Sequence, residues 1–315
     1  MSTLKTIEQL LNEYNAKDIK FYGKEKIVFE NVGEKDVYNI STPFMDENEL
    51  VIAGRVESRD SEHSEIHFFV KRNGKWIQRE NTKKFTLQDP FFTFIDGELI
   101  LGGVEIFPHP TIENSLGWRT VFYKGKDINS LEECFKGPDG MKDLRLVELK
   151  DKKIGVLTRP QGSKGGRGKI GFTIVNKIED LTIDVIEDAP LLENQFTDLE
   201  WGGANEAHLL KDGRIGVLGH IACFDDNGCR HYYPMVFILN PVTNETTDIQ
   251  LIATRKDFLE GPSKRPDLVD VVFSGGLVRH NDKTATLYAG ISDADAQLIT
   301  IVDPFNGYID TKPSI

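Results

Sequence analysis

The chain has 315 residues, 39% of them hydrophobic, enough to bury a large single core. A net charge of -12 argues against a general binder of nucleic acid or anionic membranes, though not against a local basic pocket for a small anion. The N-terminus lacks a basic-apolar-small signal pattern, and no apolar run approaches the ~18 residues of a membrane span, so a cytoplasmic protein is expected, with no nucleic-acid or membrane partner.

Residues Thr6 to Lys17 place Ile7, Leu10, Leu11 and Tyr14 at helical spacing, which predicts one short amphipathic helix within residues 1–20. From residue 21 onward one segment type recurs: a turn signal, an apolar run, then a small or polar residue. It appears at Asn48–Arg55, Asp96–Gly103, Asp151–Arg159 and Asp212–His220, with a degenerate copy at Asn281–Gly290. Spacings of roughly 50 to 70 residues suit one propeller blade of about four strands each. The expectation is an all-β, five-bladed β-propeller over residues 21–315, a single domain preceded by the helix. Between the repeats, Ile66–Val70 and Lys75–Ile77 flank Asn73-Gly74 and read as a hairpin. Ile170–Val175 and Met235–Leu239 read as further strands. The Gly- and Lys/Arg-rich run Ser163–Gly168 has the composition of a phosphate loop without its Gly-Lys-Ser/Thr ending, and its plainer reading is a blade connection. Three irregularly spaced cysteines, Cys134, Cys223 and Cys229, suit reduced thiols and offer no metal-ligand spacing.

A propeller gathers a strand from each blade at its axis, so the polar residues flanking the apolar runs are candidates for one shared site. Before the runs stand Asp89, Lys142 with Asp143, and Glu206 with His208; after them stand Arg55 with Glu57, Glu105, Arg159 and His220; Asp293 lies near the fifth. Asp89 leads this group. Pro90 favours an extended backbone there, and Phe91, Phe92 and Phe94 supply apolar bulk that would raise a carboxyl pKa towards that of a proton donor. The plainer reading is a turn aspartate satisfying backbone N–H groups. Arg55, Lys142, Arg159 and His220 could bind an anion, or pair internally with Glu57, Asp143 or Glu105. Glu206 could be a second carboxylate for acid–base work, and His208 is expected to face a blade interior. Trp118, Trp201, Tyr232 and Tyr233 could stack on sugar or simply pack between blades.

On these residues the chain resembles the five-bladed propeller enzymes of glycoside hydrolase family 130. It looks most like a related group, DUF1861, linked to the mannosyltransferase/phosphorylases of glycosyltransferase family 108. Gly54-Arg55-Val56-Glu57 resembles the first-blade Arg-x-Glu segment, Gln88-Asp89-Pro90 the Glu-Asp-Pro motif, and Lys142-Asp143 with Thr158-Arg159-Pro160 the third-blade elements. Gly219-His220 resembles the Tyr-His-Gly segment and Ser292-Asp293 the late acidic element; Arg119 in Gly117-Trp118-Arg119 resembles a further phosphate-binding arginine. Gln88 departs from the usual Glu, no Gly follows His220, and Asn205–His208 does not match the family's Gly- and Pro-rich stretch. The resemblance implies inverting, reversible phosphorolysis of a β-mannoside to α-mannose 1-phosphate, with no cofactor beyond inorganic phosphate as co-substrate. Asp89 would be the acid; Arg55, Arg119, Lys142, Arg159 and His220 the phosphate ligands; and Glu57, Glu105, Asp143, Glu206 and Asp293 would contact an oligosaccharide or sugar phosphate. An inverting hydrolase using Glu206 or Glu57 as base, and a non-catalytic sugar-binding propeller, are the competing readings.

Overall fold

The structure, a computed structural model, describes residues 2–307; residues 308–315 of the expected propeller domain lie outside the described residues. The helix runs Ile7–Asn15, with Thr6 as its N-cap in a capping box with Gln9. Its buried side chains Ile7, Leu10 and Tyr14 join an apolar cluster with Phe196, Ile221 and Leu251, and the Tyr14 hydroxyl donates to Asp257 Oδ2 at 2.8 Å. The helix therefore locks onto the outer surface of the β-structure.

The rest is mainly antiparallel sheet, with short helices at Gly162–Gly165 and Ile183–Asp188. Each sequence repeat forms the strand after a tight turn: Glu49–Glu57, Glu98–Pro108, Ile154–Thr158, Ile215–Phe224 and Thr284–Ile291. The turn residues explain the periodicity. Asn48, Asp96, Gly97, Lys152, Gly213 and Lys283 all have positive φ, which a tight hairpin requires. Each repeat strand pairs with the strand before it and the strand after it, as Gln88–Ile95, Glu98–Pro108 and Leu116–Gly125 do. The predicted hairpin forms between Ser64–Arg72 and Lys75–Gln78, with Asn73 and Gly74 at its left-handed turn.

Among the described residues the hydrogen-bonded sheets number four, because two antiparallel meanders join through a short parallel contact of His231 and Tyr232 with Asp270 and Val271. The apolar cores lie between successive meanders. Phe44, Phe68 and Leu99 join the first to the second, and Phe91, Phe122 and Val156 the second to the third. Val147, Phe172 and Val217 follow, then Leu218, Leu277 and Leu287, and finally Ile40, Ile52 and Ala296 join the last meander to the first. Gly23–Lys26, from near the N-terminus, pairs with Asp295–Val302 and completes the last sheet. The result is a propeller-like ring of curled sheets. Among the described residues no helix is long and apolar enough to cross a membrane.

Candidate active site

The inner strands of three meanders, Gln88–Ile95, Glu200–Leu209 and Asp270–Arg279, each slip register once, between Gln88 and Phe91, Ala204 and Glu206, and Ser274 and Gly276. Such bulges re-aim side chains where strands meet. The first carries Asp89 and the second Asn205. The Pro90 argument for extended backbone at Asp89 is corrected here: Asp89 has φ +51, and Pro90 sits within the bulge. Asn39, Asp143 and Asp293 are left-handed as well, at φ +45, +62 and +50. Asn and Asp tolerate this conformation best, and its concentration in one place makes that place the candidate site.

These four residues line a single cleft of about 230 Å³, together with Arg55, Lys142, His220 and Tyr232. Arg55, 4% exposed, is its electrostatic centre. Its Nε and Nη2 donate to Glu57 Oε2 at 3.1 and 2.6 Å, while Nη1 donates to Asp89 Oδ1 at 3.1 Å. Asn39 Nδ2 donates to the same Asp89 oxygen at 2.8 Å. Glu57 is fully used: Tyr38 donates to Oε1 at 2.7 Å, and Lys264 Nζ caps the same oxygen. The Arg-x-Glu pair thus tethers Asp89 from behind.

Burial pushes the Asp89 carboxyl up, but the charges of Arg55 and Lys142, with the Asn39 and Arg55 hydrogen bonds, carry it below the ordinary carboxylate range. The expectation that aromatic burial would raise it is overturned, because cations and not rings surround the oxygens. The carboxyl that is raised is Asp293: burial dominates, Asp89 adds to it, and Arg55, Lys264 and Lys142 only partly oppose it.

The opposite side of the cleft is lined by Asp143 and His220, with Arg159 behind Asp143 and outside the lining. Arg159, 2% exposed, donates from Nε to the Gly202 carbonyl at 2.7 Å and lies 3.4 Å from Asp143 Oδ2. Its Nη1 and the Asp143 Oδ2 are buried without a hydrogen-bond partner. Gly203 is required here, since a Cβ would stand 2.8 Å from both Arg159 Cδ and Asp143 Oδ2. His220 Nδ1 lies 2.8 Å from Asn205 Oδ1, and its ring stacks on Tyr232 at 5.3 Å. Burial, reinforced by Arg159, Lys142 and Arg145 against the pull of Asp143, lowers its pKa to about 3, so the imidazole is neutral. Lys142 lines the cleft and makes no hydrogen bond or ion pair with a described residue.

Other expected residues lie elsewhere. Arg119 and Glu105 are cross-strand partners joined at 2.6 Å, with Asp139 and Lys136 completing an ion cluster; they do not line the cleft. Glu206 accepts from the Leu277 backbone N–H at 2.6 Å and pairs with His208 at 2.9 Å, so it ties two inner strands together. His208, expected in a blade interior, shares the Glu206 face, as i and i+2 residues of a strand must. Trp201 is buried and donates to the Tyr232 hydroxyl at 3.1 Å; of the four aromatics named from sequence, Tyr232 lines the cleft. The Ser163–Gly168 segment forms a connection whose Arg167 lies over the Trp201 and Phe224 rings.

Sequence reasoning missed Asn39, Lys264 and Arg145. Arg145 is 4% exposed, 3.5 Å from the Phe91 ring centre, and bonds the Asn205 and Leu144 carbonyls. Its position one residue beyond Asp143-Leu144 was an available signal. Asn39 and Lys264 carry no motif.

The family model described as "Protein of unknown function (DUF1861)" matches residues 13–307. The chain belongs to the DUF1861 family. Among solved structures it is similar to MPT-4, a mannose phosphorylase from Leishmania mexicana in complex with phosphate ion. Identity is 31%, with 98% of this chain and 96% of that one covered and a TM-score of 0.89. It is also similar to MPT-1, a GDP-Man-dependent mannosyltransferase from the same organism, at 30% identity, 98% coverage of each chain and TM-score 0.88. A β-1,2-mannobiose phosphorylase from Listeria innocua shares the fold at 14% identity, covering 92% of this chain and 93% of that one, with TM-score 0.63. No curated protein matches the sequence.

Proposed function

We propose that this DUF1861 member is a carbohydrate-active enzyme, an inverting β-mannoside phosphorylase built as a five-bladed propeller. The observation that carries the reading is the cleft itself, where a tethered carboxylate, Asp89, shares the lining with Lys142 and Arg55. The similarity over nearly the whole chain to a phosphate-bound mannose phosphorylase supports it. The five meanders with cores between successive pairs support the blade number.

In this reading Asp89 donates the proton to the departing glycosidic oxygen, directly or through a sugar hydroxyl. Arg55, Lys142, Arg159 and His220 hold phosphate against the anomeric carbon. The neutral His220 donates from Nε2, with its Nδ1 accepting from Asn205 turned to present Nδ2, the amide nitrogen that otherwise lacks a partner. Arg159, behind Asp143 and outside the cleft lining, would act on that anion through its charge. Phosphate is itself the nucleophile, so positioning and charge stabilisation supply the rate and no protein base is required. Asp143 and Asp293 are assigned to sugar hydroxyls. Arg119, Glu105, Glu206 and Glu57 are left out of direct contact, since each is engaged elsewhere.

A hydrolase would need a carboxylate to activate water across the sugar from the acid. Glu57 and Glu206 are both occupied, and the cleft carboxylates Asp143 and Glu62 are paired, the first with Arg159 and the second with Lys264 and Arg265. That leaves Asp293, a cleft carboxylate with no hydrogen bond or ion pair to a described residue, as that base. The test is product formation from β-mannobiose with and without phosphate. α-Mannose 1-phosphate that appears only with phosphate supports the phosphorylase. Free mannose formed equally well without phosphate, and lost in Asp293→Asn, replaces it with the hydrolase.

A further inference from the structure

Of the carboxylates that line the cleft, Asp89 and Asp293 stand in opposite circumstances. Asp89 Oδ1 is bound by Arg55 Nη1 and Asn39 Nδ2. Asp293 has no comparable partner and is felt by Arg55, Lys264, Lys142 and, from the rim, Arg265. The cations that keep Asp89 ionised are Arg55 and Lys142, and Arg55 already serves Glu57 with its other nitrogens. An anion entering this cleft draws on those same two cations and brings negative charge beside the carboxylate.

We propose that binding of a dianion in the cleft is coupled to uptake of one proton from solvent by Asp89. The proposal rests on the cleft being an anion site. Its consequence for the reaction is that the free enzyme carries a carboxylate and no usable acid, whereas the phosphate-bound enzyme carries the carboxylic acid. Bond cleavage then passes that proton to the glycosidic oxygen, which leaves as a hydroxyl. A phosphate oxygen forms the new bond to the anomeric carbon, the phosphate's own proton returns to solvent, and Asp89 is a carboxylate again. Hydrolysis without phosphate is suppressed by the same logic, because water arrives without the charge that arms the acid.

Other groups around Asp89 could accept the proton instead. They are Asp293 on the fifth meander, Glu62 at the rim, His220 and Asp143 on the far wall, and Glu57 behind Arg55; the Tyr38 phenol already carries its proton, and Arg145 also faces Asp89 but stays charged. The experiment separates them. Sulfate, dianionic throughout the neutral range, is titrated into the protein by calorimetry at about pH 7 in buffers of different ionisation enthalpy, and its affinity is followed against pH. Wild type is expected to take up about one proton per sulfate, with affinity falling about tenfold per pH unit as pH rises. Asp89→Asn is expected to bind sulfate with little uptake and a flat profile. His220→Gln is expected to bind sulfate more weakly, as loss of a ligand must, and yet, like Asp293→Asn, to keep about one proton taken up per sulfate bound and the same pH slope. Sulfate binding without proton uptake in wild type overturns the coupling and leaves the anion site standing. Uptake that persists in Asp89→Asn and vanishes in His220→Gln or Asp293→Asn overturns the assignment to Asp89. If Asp89→Asn does not fold, the wild-type slope decides the coupling and the other two variants decide its carrier. Failure of both sulfate and phosphate to bind overturns this inference and the anion site together.

Discussion

Arg55 Nη1 lies 3.1 Å from Asp89 Oδ1 while the same guanidinium grips Glu57 with its other two nitrogens. One buried cation therefore positions the candidate acid and is itself positioned by a carboxylate that Tyr38 and Lys264 hold from the other side. The arrangement links the first, second and last meanders, so its disruption reaches both activity and stability.

Arg55→Ala leaves Glu57 and Asp89 buried without their shared cation. Breaking a buried pair in this way costs about 3–5 kcal/mol. Urea unfolding of the variant should show a loss of that size. A loss under about 1 kcal/mol, the value of an exposed pair, would show that the network carries little of the fold.

His220 gives a pH dependence with a definite sign. Its pKa is 6.5 as an ordinary histidine and about 3 in the fold. Above 6.5 both states are neutral and nothing changes. As pH falls from 6.5 towards 3, the unfolded chain binds a proton that the native state refuses, so stability declines by at most about 1.4 kcal/mol per pH unit. His220→Gln should flatten that part of the stability–pH curve. An unchanged slope in the variant would mean that His220 is protonated in the fold.

Asp293 has the opposite linkage to an ion-paired acid. Its folded pKa is raised above 3.8, so its ionisation disfavours the native state once pH exceeds that value, and the penalty is complete above the raised pKa. Asp293→Asn should therefore be more stable than wild type at neutral pH, by the ~1 kcal/mol typical of a relieved buried polar group. The gap should close as pH falls to about 3.8. A destabilised variant at neutral pH would contradict this assignment.

Gly290 stands behind Asn39. A Cβ at residue 290 would lie 1.9 Å from Asn39 Oδ1 and 2.6 Å from its backbone nitrogen. Gly290→Ala must displace Asn39 and, through it, the second hydrogen bond to Asp89. Turnover should drop about tenfold or more, given the ~1.5–3 kcal/mol that a hydrogen bond to a charged group is worth. Wild-type turnover with a fully folded variant would show that Asn39 does not position the acid.

The repeat pattern was readable because it rests on local physics. Each hairpin needs a left-handed turn, and Asn48, Asp96-Gly97, Lys152, Gly213 and Lys283 announce one before every apolar run. The flanks of those runs led to Asp89, Lys142, Asp143, His220 and Asp293, which the structure brings to one cleft. What sequence could not supply was the long-range partner. Nothing near residue 264 says that its lysine meets Glu57, 207 positions away. Arg119 and Glu105 sit beside apolar runs as the others do, yet register makes them partners of each other. The Asp89 pKa was misjudged for the same reason: Phe91, Phe92 and Phe94 are visible in sequence, whereas Arg55 is brought to Asp89 only by folding.

The central claim, that Asp89 and a phosphate-binding cleft form one catalytic unit, is tested most directly in the synthetic direction. The protein is incubated with α-mannose 1-phosphate and mannose, and phosphate release and oligosaccharide formation are followed for wild type and Asp89→Asn. The account predicts phosphate release that requires both sugars and falls at least about a hundredfold in the variant, as loss of a general acid should produce. Equal release by Asp89→Asn, or no release alongside phosphate-independent cleavage of β-mannosides, would contradict it.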